Sequence, residues 1–330
     1  MLGYLLRRVL YMIPVLFGIS VVAFWIIQLP PGDYLTTYVQ GLTQSGQAVS
    51  QAQVDALSER YGLGDPFVVQ YGKWMSNILL HGDFGTSFEW NQPVSELLAD
   101  RLPATVILAV ATLLFTWIVA LPIGVYSAVR QYSVGDYLVT FIGFLGLAIP
   151  SFMLALILIW LGATFFDQPV GGLFSAEFAD AGWNLGKLLD LLQHLWVPVI
   201  VLGASGTAGL IRIMRANLLD ELRRPYVVAA RARGVPERKL LLKYPLRVAL
   251  NPFFSTIGWV LPGLVSGEVI VAQVLALPTT GPLLVRALTS QDMFLAGSII
   301  LIVSTLTVVG TLISDIALAW LDPRVRYGLA

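Results

Sequence analysis

The sequence predicts an all-α polytopic membrane protein: six transmembrane helices, with an extracytoplasmic region between the first and second. Three observations predict it. The 330 residues are 57% hydrophobic and only 12% charged, whereas a soluble domain carries about 25% charged residues. Six stretches contain no Asp, Glu, Lys, Arg or His: Val9–Leu29, Ala104–Val129, Leu138–Phe166, Leu195–Ile211, Val248–Gly267 and Met293–Ser314. Crossing a hydrocarbon core takes about 20 residues, and Leu191 and Leu192 extend the shortest stretch past His194. Finally, fifteen of the twenty Lys and Arg fall on one side of the membrane, and the positive-inside rule makes that side cytoplasmic.

The cytoplasmic segments are then 1–8, 130–137, 212–247 and 321–330, and the outer side keeps Arg60, Lys73, Arg101, Lys187 and Arg286. An even number of spans returns the C-terminus to the cytoplasm, so a multi-pass protein of the cell inner or plasma membrane is expected, with both termini inside. Residues 1–29 form the N-terminus and first helix. Its 21 uncharged residues exceed a signal-peptide core, and no small-x-small cleavage site precedes Pro30-Pro31, so the helix is expected to be retained.

Residues 30–103 are the extracytoplasmic region. Ser50-Gln-Ala-Gln53 resembles a capping box and predicts a helix towards Tyr61, ended by Gly62, Gly64 and Pro66. Phe67–Leu80 predicts an amphipathic helix with Val68, Tyr71, Met75 and Leu79 along one face, and the turn-rich Gly82–Ser87 follows. Residues 104–330 form a five-helix core. Pro14, Pro122 and Pro150 lie in or at the end of the first three spans, Pro198 opens the fourth, and Pro252 and Pro262 flank the fifth. Two readings stand: ordinary tolerance of proline in membrane helices, or bent helices around a changing cavity. Val269–Val285, broken by Pro278 and Pro282, reads as a re-entrant or outside-facing segment, which requires protein or water to cover its backbone. Most tryptophans, among them Trp25, Trp74, Trp117 and Trp320, read as interfacial anchors.

Half of the positive charge sits in the coupling loop 212–251, with ten Arg/Lys against three acids. Ala216–Arg224 extends the fourth span as a helix with Leu218, Leu219 and Leu222 on one side. Pro225 interrupts it. Tyr226–Arg233 predicts a short helix capped by Gly234, and Glu237–Tyr244 a second one after Pro236. Two short helices joined at a glycine make a compact knob, and Ala229, Ala230 and Ala232 allow close backbone approach. A basic loop lying on anionic lipid head groups is the alternative reading.

The spacing of Ala229, Ala230 and Gly234 resembles the EAA loop of ABC importer permeases. Four further motifs resemble the first permease subunit of the dipeptide/oligopeptide branch: Leu29-Pro-Pro-Gly-Asp33, Gly82-Asp-Phe-Gly-Thr-Ser87, Ala148-Ile-Pro-Ser-Phe152 and Leu321-Asp-Pro-Arg-Val-Arg-Tyr327. The resemblance implies a type I ABC importer permease fold and a coupling helix that seats in a cytoplasmic ATPase, with Ala229, Ala230, Arg231, Arg233, Gly234 and Glu237 as its contact residues. It also implies the partners: a second homologous permease in a heterodimer, two ABC ATPase subunits and an external substrate-binding protein, with no role for nucleic acid. No cofactor is expected in this chain; ATP and Mg would be used by the ATPases. Peptides are the expected solute, with oligosaccharides or nickel as alternatives. Departures are visible. Val228 occupies the motif's Glu position, the late proline falls on Arg247, and a family Glu aligns with Ala272, so that Glu268, one helical turn earlier, takes the missing acid's place.

Glu268 is the acid expected nearest the membrane interior, and three roles remain open: pathway lining or gating, a pair with Arg286, or an interfacial position. Pro150 and Gln273 join it as candidate pathway or gate residues. Asp315 is expected near the inner interface, paired with a cytoplasmic Arg. His81 and His194 are isolated and make no metal site by spacing, and the absence of cysteine excludes disulfides and thiol chemistry. No G-x-x-x-x-G-K-[ST] phosphate loop occurs, so the chain is not expected to be an enzyme and must borrow its energy. An ion-coupled transporter acting alone would need paired acids or discontinuous helices in inverted repeats. An intramembrane hydrolase would need catalytic groups within the spans.

Overall fold

The computed structural model describes residues 2–28, 65–87, 89–165, 171–178, 181–182, 184–263 and 269–321. The helix expected after Ser50 and the acid Glu268 lie outside them. The described residues are helices and their connections, with one isolated bridge between Thr86 and Pro93.

Among the described residues, four helices are long and apolar enough to cross a membrane. They are α1 (Leu2–Ile27), α3 (Val94–Val129), α6 (Leu185–Leu222) and α14 (Met293–Leu321), and α2 (Phe67–His81) lies between the first two. α4 (Val134–Ala148) and α5 (Ser151–Phe165) are together long and apolar enough but are bent by 103° at Ile149-Pro150, the shape of a broken span or of a re-entrant loop. Pro150 cannot donate a backbone hydrogen bond and disfavours helical geometry at Ile149 before it. The two readings of proline thus divide by position: Pro14 and Pro198 are absorbed inside helices, while Pro150 breaks one.

The predicted fifth span is no continuous helix. Short pieces replace it: α9 (Pro245–Ala249), α10 (Asn251–Ser255) and α11 (Ile257–Pro262), following α7 (Pro225–Ala232) and α8 (Glu237–Lys243). Proline stands in the first turn of α9 and of α10 and closes α11, which is where it is tolerated and where it stops a helix from running through. The uncharged run Val269–Val285 becomes α12 (Val269–Val274), a turn, and the start of α13 (Thr280–Thr289).

The chain forms two compact units. The first comprises Met1–Val9, Ala104–Pro278 and Leu306–Ala330. Its hub is α6, against which α4, α5, α9 and α10 pack. One apolar cluster joins Leu108 of α3, Ala155 of α5, Val197 and Val201 of α6, and Leu275. A second joins Ala120 and Ala128 of α3, Met214 and Leu218 of α6, and Phe253 of α10. Asp315 pairs with Arg8 at 3.0 Å. His194 is not isolated: Asp190, one turn earlier on α6, lies 3.4 Å from its Nδ1. Trp117 is no interfacial anchor either. Its indole donates to Thr256 Oγ1 at 3.1 Å and packs on Phe253 and Phe254.

The second unit comprises Leu10–Pro103 and Thr279–Thr305. The ties are polar. Asp292, fully buried, accepts hydrogen bonds from Ser87 Oγ and the Glu89 amide. Arg286 grips Glu89 through Nε and Nη2 at 3.1 and 2.9 Å and lies over Trp90; the pairing considered between Arg286 and Glu268 lies outside the described residues. Gly85 (φ +95°) faces the Phe294 ring, where a Cβ would come within 2.8 Å. The buried face of α2 also differs from expectation: Phe67, Tyr71 and Trp74 meet Phe24 of α1, while Val68 and Leu79 are exposed. Phe24 meets Phe67 and Tyr71 edge-on and Trp74 at a tilt, and such aromatic contacts favour this face over the aliphatic stripe.

Candidate functional site

The knob begins where α6 ends. A helix of 38 residues is about 57 Å long at 1.5 Å per residue, well beyond a bilayer core of about 30 Å, so α6 continues past the membrane as one rigid rod. Leu218 is buried, with Leu219 and Leu222 packed beside it. Arg223 and Arg224 end the rod, and Pro225 starts α7 at the position where a missing N–H costs nothing.

The stop of α7 is set by Gly234. It adopts φ +77°; its N–H donates to Arg231 O at 3.0 Å, and the Val235 N–H donates to Ala230 O at 3.2 Å. These two bonds are a Schellman motif, in which a glycine in the left-handed region satisfies the last carbonyls of the helix. Pro236 then launches α8. Val227 and Leu240 are fully buried and anchor the two short helices. Across the outside, Arg231 Nε and Nη2 reach the Glu237 carboxylate at 2.5 and 3.2 Å. That hydrogen bond first, and the charge second, hold the Glu237 carboxyl below its usual range and raise the Arg231 guanidinium.

The structure therefore gathers Ala229, Ala230, Arg231, Arg233, Gly234 and Glu237 into one feature. Ala229, Ala232 and Arg233 are exposed, as are the larger Tyr226, Val228 and Leu242. The knob's small-residue face is uncovered within this chain. Its root is not: Leu246 and Ala249 of α9 are buried against α6, and Arg247 Nε donates to Leu321 O at the end of α14, 2.8 Å away.

A second joint lies on the same rod, ten residues before the knob, and sequence reasoning missed it. Arg215 of α6 grips Asp136 of α4 in a fork, Nε to Oδ1 at 3.0 Å and Nη2 to Oδ2 at 2.9 Å. Ser127 Oγ and the Tyr132 amide also donate to that carboxylate, and Ser133 Oγ accepts from the Asp136 amide. Asp136 is 2% exposed, and it lies in segment 130–137, in the first turn of α4 and ahead of the uncharged stretch that begins at Leu138. The Arg215 hydrogen bonds outweigh the cost of burial and bring its carboxyl down to about 2. Ser133-Val-Gly-Asp136 has the spacing of a helix-capping box, which marks where α4 starts but not its distant partner Arg215.

Of the pathway candidates, Glu268 lies outside the described residues, and α12, which carries Gln273, packs against α5, which follows Pro150. Pro150 is exposed at the bend between α4 and α5, and Gln273 is exposed on α12. No group of three His, Asp or Glu able to hold a metal occurs among the described residues.

Long helices, a projecting rod and an uncovered helical knob, in a chain without a phosphate-binding loop, define the membrane component of a transport system with the type I ABC importer permease fold. The chain belongs to the family of binding-protein-dependent transport system inner membrane components, whose model matches residues 120–327, with the family's N-terminal model matching residues 1–109. Among its relatives is the oligopeptide transport system permease protein AppB of Bacillus subtilis, 39% identical over 99% of this chain and 100% of its own. The dipeptide transport system permease protein DppB of Alkalihalophilus pseudofirmus is 33% identical over 99% of this chain and 100% of its own, and the oligopeptide transport system permease protein OppB of Escherichia coli K12 is 31% identical over the same shares.

Proposed function

We propose that this chain is the peptide-conducting permease subunit of an ATP-driven importer, with the knob at Gly234 seated in a separate ATPase on the cytoplasmic side. The observation that carries this reading is the knob itself: two short helices locked by a Schellman glycine, anchored inward by Val227 and Leu240 and uncovered outward at Ala229 and Ala232. Closure of two ATPases around bound ATP and Mg would push the knob, and α6 would carry the push into the bundle as a rod. The chain itself binds no nucleotide and catalyses nothing. A second, homologous permease completes the pathway, and an extracytoplasmic receptor delivers the solute. Peptides follow from the full-length likeness to permeases named for oligopeptides and dipeptides. The charge asymmetry puts both termini in the cytoplasm of a cell whose inner or plasma membrane holds the protein.

The test uses proteoliposomes holding the complete transporter with its ATPases and receptor. ATP-dependent uptake of labelled tri-alanine is expected, and Gly234→Val should abolish it while leaving the permease in the membrane. Uptake by the Gly234→Val transporter at the wild-type rate would remove the knob's role. The chain has no cysteine, so Arg231→Cys gives a single thiol, expected to react with an impermeant reagent from the cytoplasmic face alone.

A further inference from the structure

We infer that a cavity between α3, α6 and the broken segment α10–α11 is a solute-facing niche of the transport path, which takes the uncharged amide main chain of a peptide and is blind to side-chain charge. This rests on the peptide-permease reading above and adds where, and by what chemistry, this chain meets the solute.

The cavity measures about 310 Å³, the lower end of what a small-molecule site needs. Its walls carry Thr112 and Thr116 from α3, Ser205 and Gly206 from α6, and Thr256 and Trp259 from the broken segment. Hydroxyls and one indole supply its polar character; no lining residue is charged. Thr112 is 7% exposed, and its Oγ1 has no hydrogen-bond partner. Buried hydroxyls are normally paired, and lipid chains offer no partner. A water-borne amide does. The hydroxyls of Thr112, Thr116 and Ser205 can donate to and accept from a peptide backbone whatever its side chains are, while Thr256 Oγ1 is already held between Trp117 Nε1 and Phe253 O.

The third wall has the construction that membrane transporters use at substrate sites, where helices are discontinuous and irregular backbone lines a cavity. It consists of two short helices, α10 and α11, that meet at Thr256. The other two walls are held tightly together: a Cβ on Gly203 would lie 2.8 Å from the Phe115 ring, and one on Gly124 2.7 Å from the Met214 side chain. The niche therefore has a fixed side, α3 with α6, and a segmented side. The fixed side includes the rod that ends in the knob.

The test again exploits the absence of cysteine. Single cysteines are placed at Thr112, at Ser205, and at Ile118, which lies on α3 and is exposed, in the complete transporter with its ATPases and receptor. Thr112→Cys and Ser205→Cys are expected to react with a charged, water-borne methanethiosulfonate, several-fold more slowly when tri-alanine and ATP are supplied. Ile118→Cys is expected to react only with a lipid-soluble maleimide. Cysteines at 112 and 205 sealed from water with and without ATP would assign the cavity to contact with the second permease and overturn the inference, as would labelling indifferent to the peptide. Ser205→Asp provides a second arm: uptake of tri-lysine relative to tri-glutamate should rise about tenfold, as one charge in a partly dry site demands, and an unchanged ratio overturns the inference. If the unsubstituted transporter takes up tri-alanine while the cysteines stay sealed, the niche alone falls. If it takes up no peptide at all, the parent reading falls with it.

Discussion

Two arginine–carboxylate forks lie close together on this chain and could hardly differ more. Arg215–Asp136 joins two long helices, and its carboxylate is 2% exposed and accepts four hydrogen bonds from side chains and backbone. Arg231–Glu237 joins two short helices on the surface, with half or more of each side chain in solvent. The first is shielded from salt and from competition by water; the second is not. The rod is therefore riveted to the bundle at one point and merely fastened to the knob at the other. A surface meant to receive a partner can keep its own ties weak, since each strong internal pair would have to be desolvated again on docking.

The comparison breaks first at the buried fork. Asp136→Asn leaves a guanidinium facing a neutral amide, and loss of one partner of a buried pair costs about 3–5 kcal/mol. The apparent Tm of the detergent-solubilised protein should fall clearly, and a Tm within a degree of the parent would show that the fork contributes nothing. Gly234→Val should come next, at about 1–3 kcal/mol of local strain for a β-branched residue held at φ +77°. Gly234→Asn should be far milder, because Asn tolerates that region. Uptake assays on the two variants separate shape from stability.

Acid sharpens the comparison further. The Asp136 carboxyl is lowered from 3.8 to about 2 by folding, so its stabilisation is complete above pH ~4 and drains away as the pH falls towards 2. A thermal-melt series should lose stability in that window in the parent and lose distinctly less in Asp136→Asn. The smallest effect belongs to Glu237→Gln, where an exposed pair is worth about 0–1 kcal/mol. Its melt should be indistinguishable from the parent's, and a large drop would mean that the knob is not the lightly tied element described here.

Legibility in the sequence followed the strength of local signals. The long apolar runs, Pro225, Gly234 and Pro236 each act within one or two turns, and the knob came out with its boundaries nearly intact. The fifth span did not. Lack of charge marked Val248–Gly267 as long enough to cross, but helix continuity depends on backbone bonds, and the segment is interrupted at Leu250, just before Pro252, and again at Thr256. For α2, the aliphatic periodicity pointed to Val68 and Leu79, and Phe24, a residue of another helix, chose the face instead. Asp136 and Asp292 were hidden for a related reason. Their partners, Arg215 and Ser87, lie 79 and 205 residues away, and no local pattern encodes such a pairing.

The bond between Ser87 and Asp292 also has a bearing on how the protein is made. A ribosome delivers the loop at Gly82–Ser87 early, and the acid that fastens it emerges 205 residues later. Until then the loop's hydroxyl and the Glu89 amide must be satisfied by water or by a helper protein, because closure between distant segments is slow and exposes unfinished surface. A nascent chain truncated before Asp292 should accordingly be a better substrate for quality-control proteases than one released just after α14 begins.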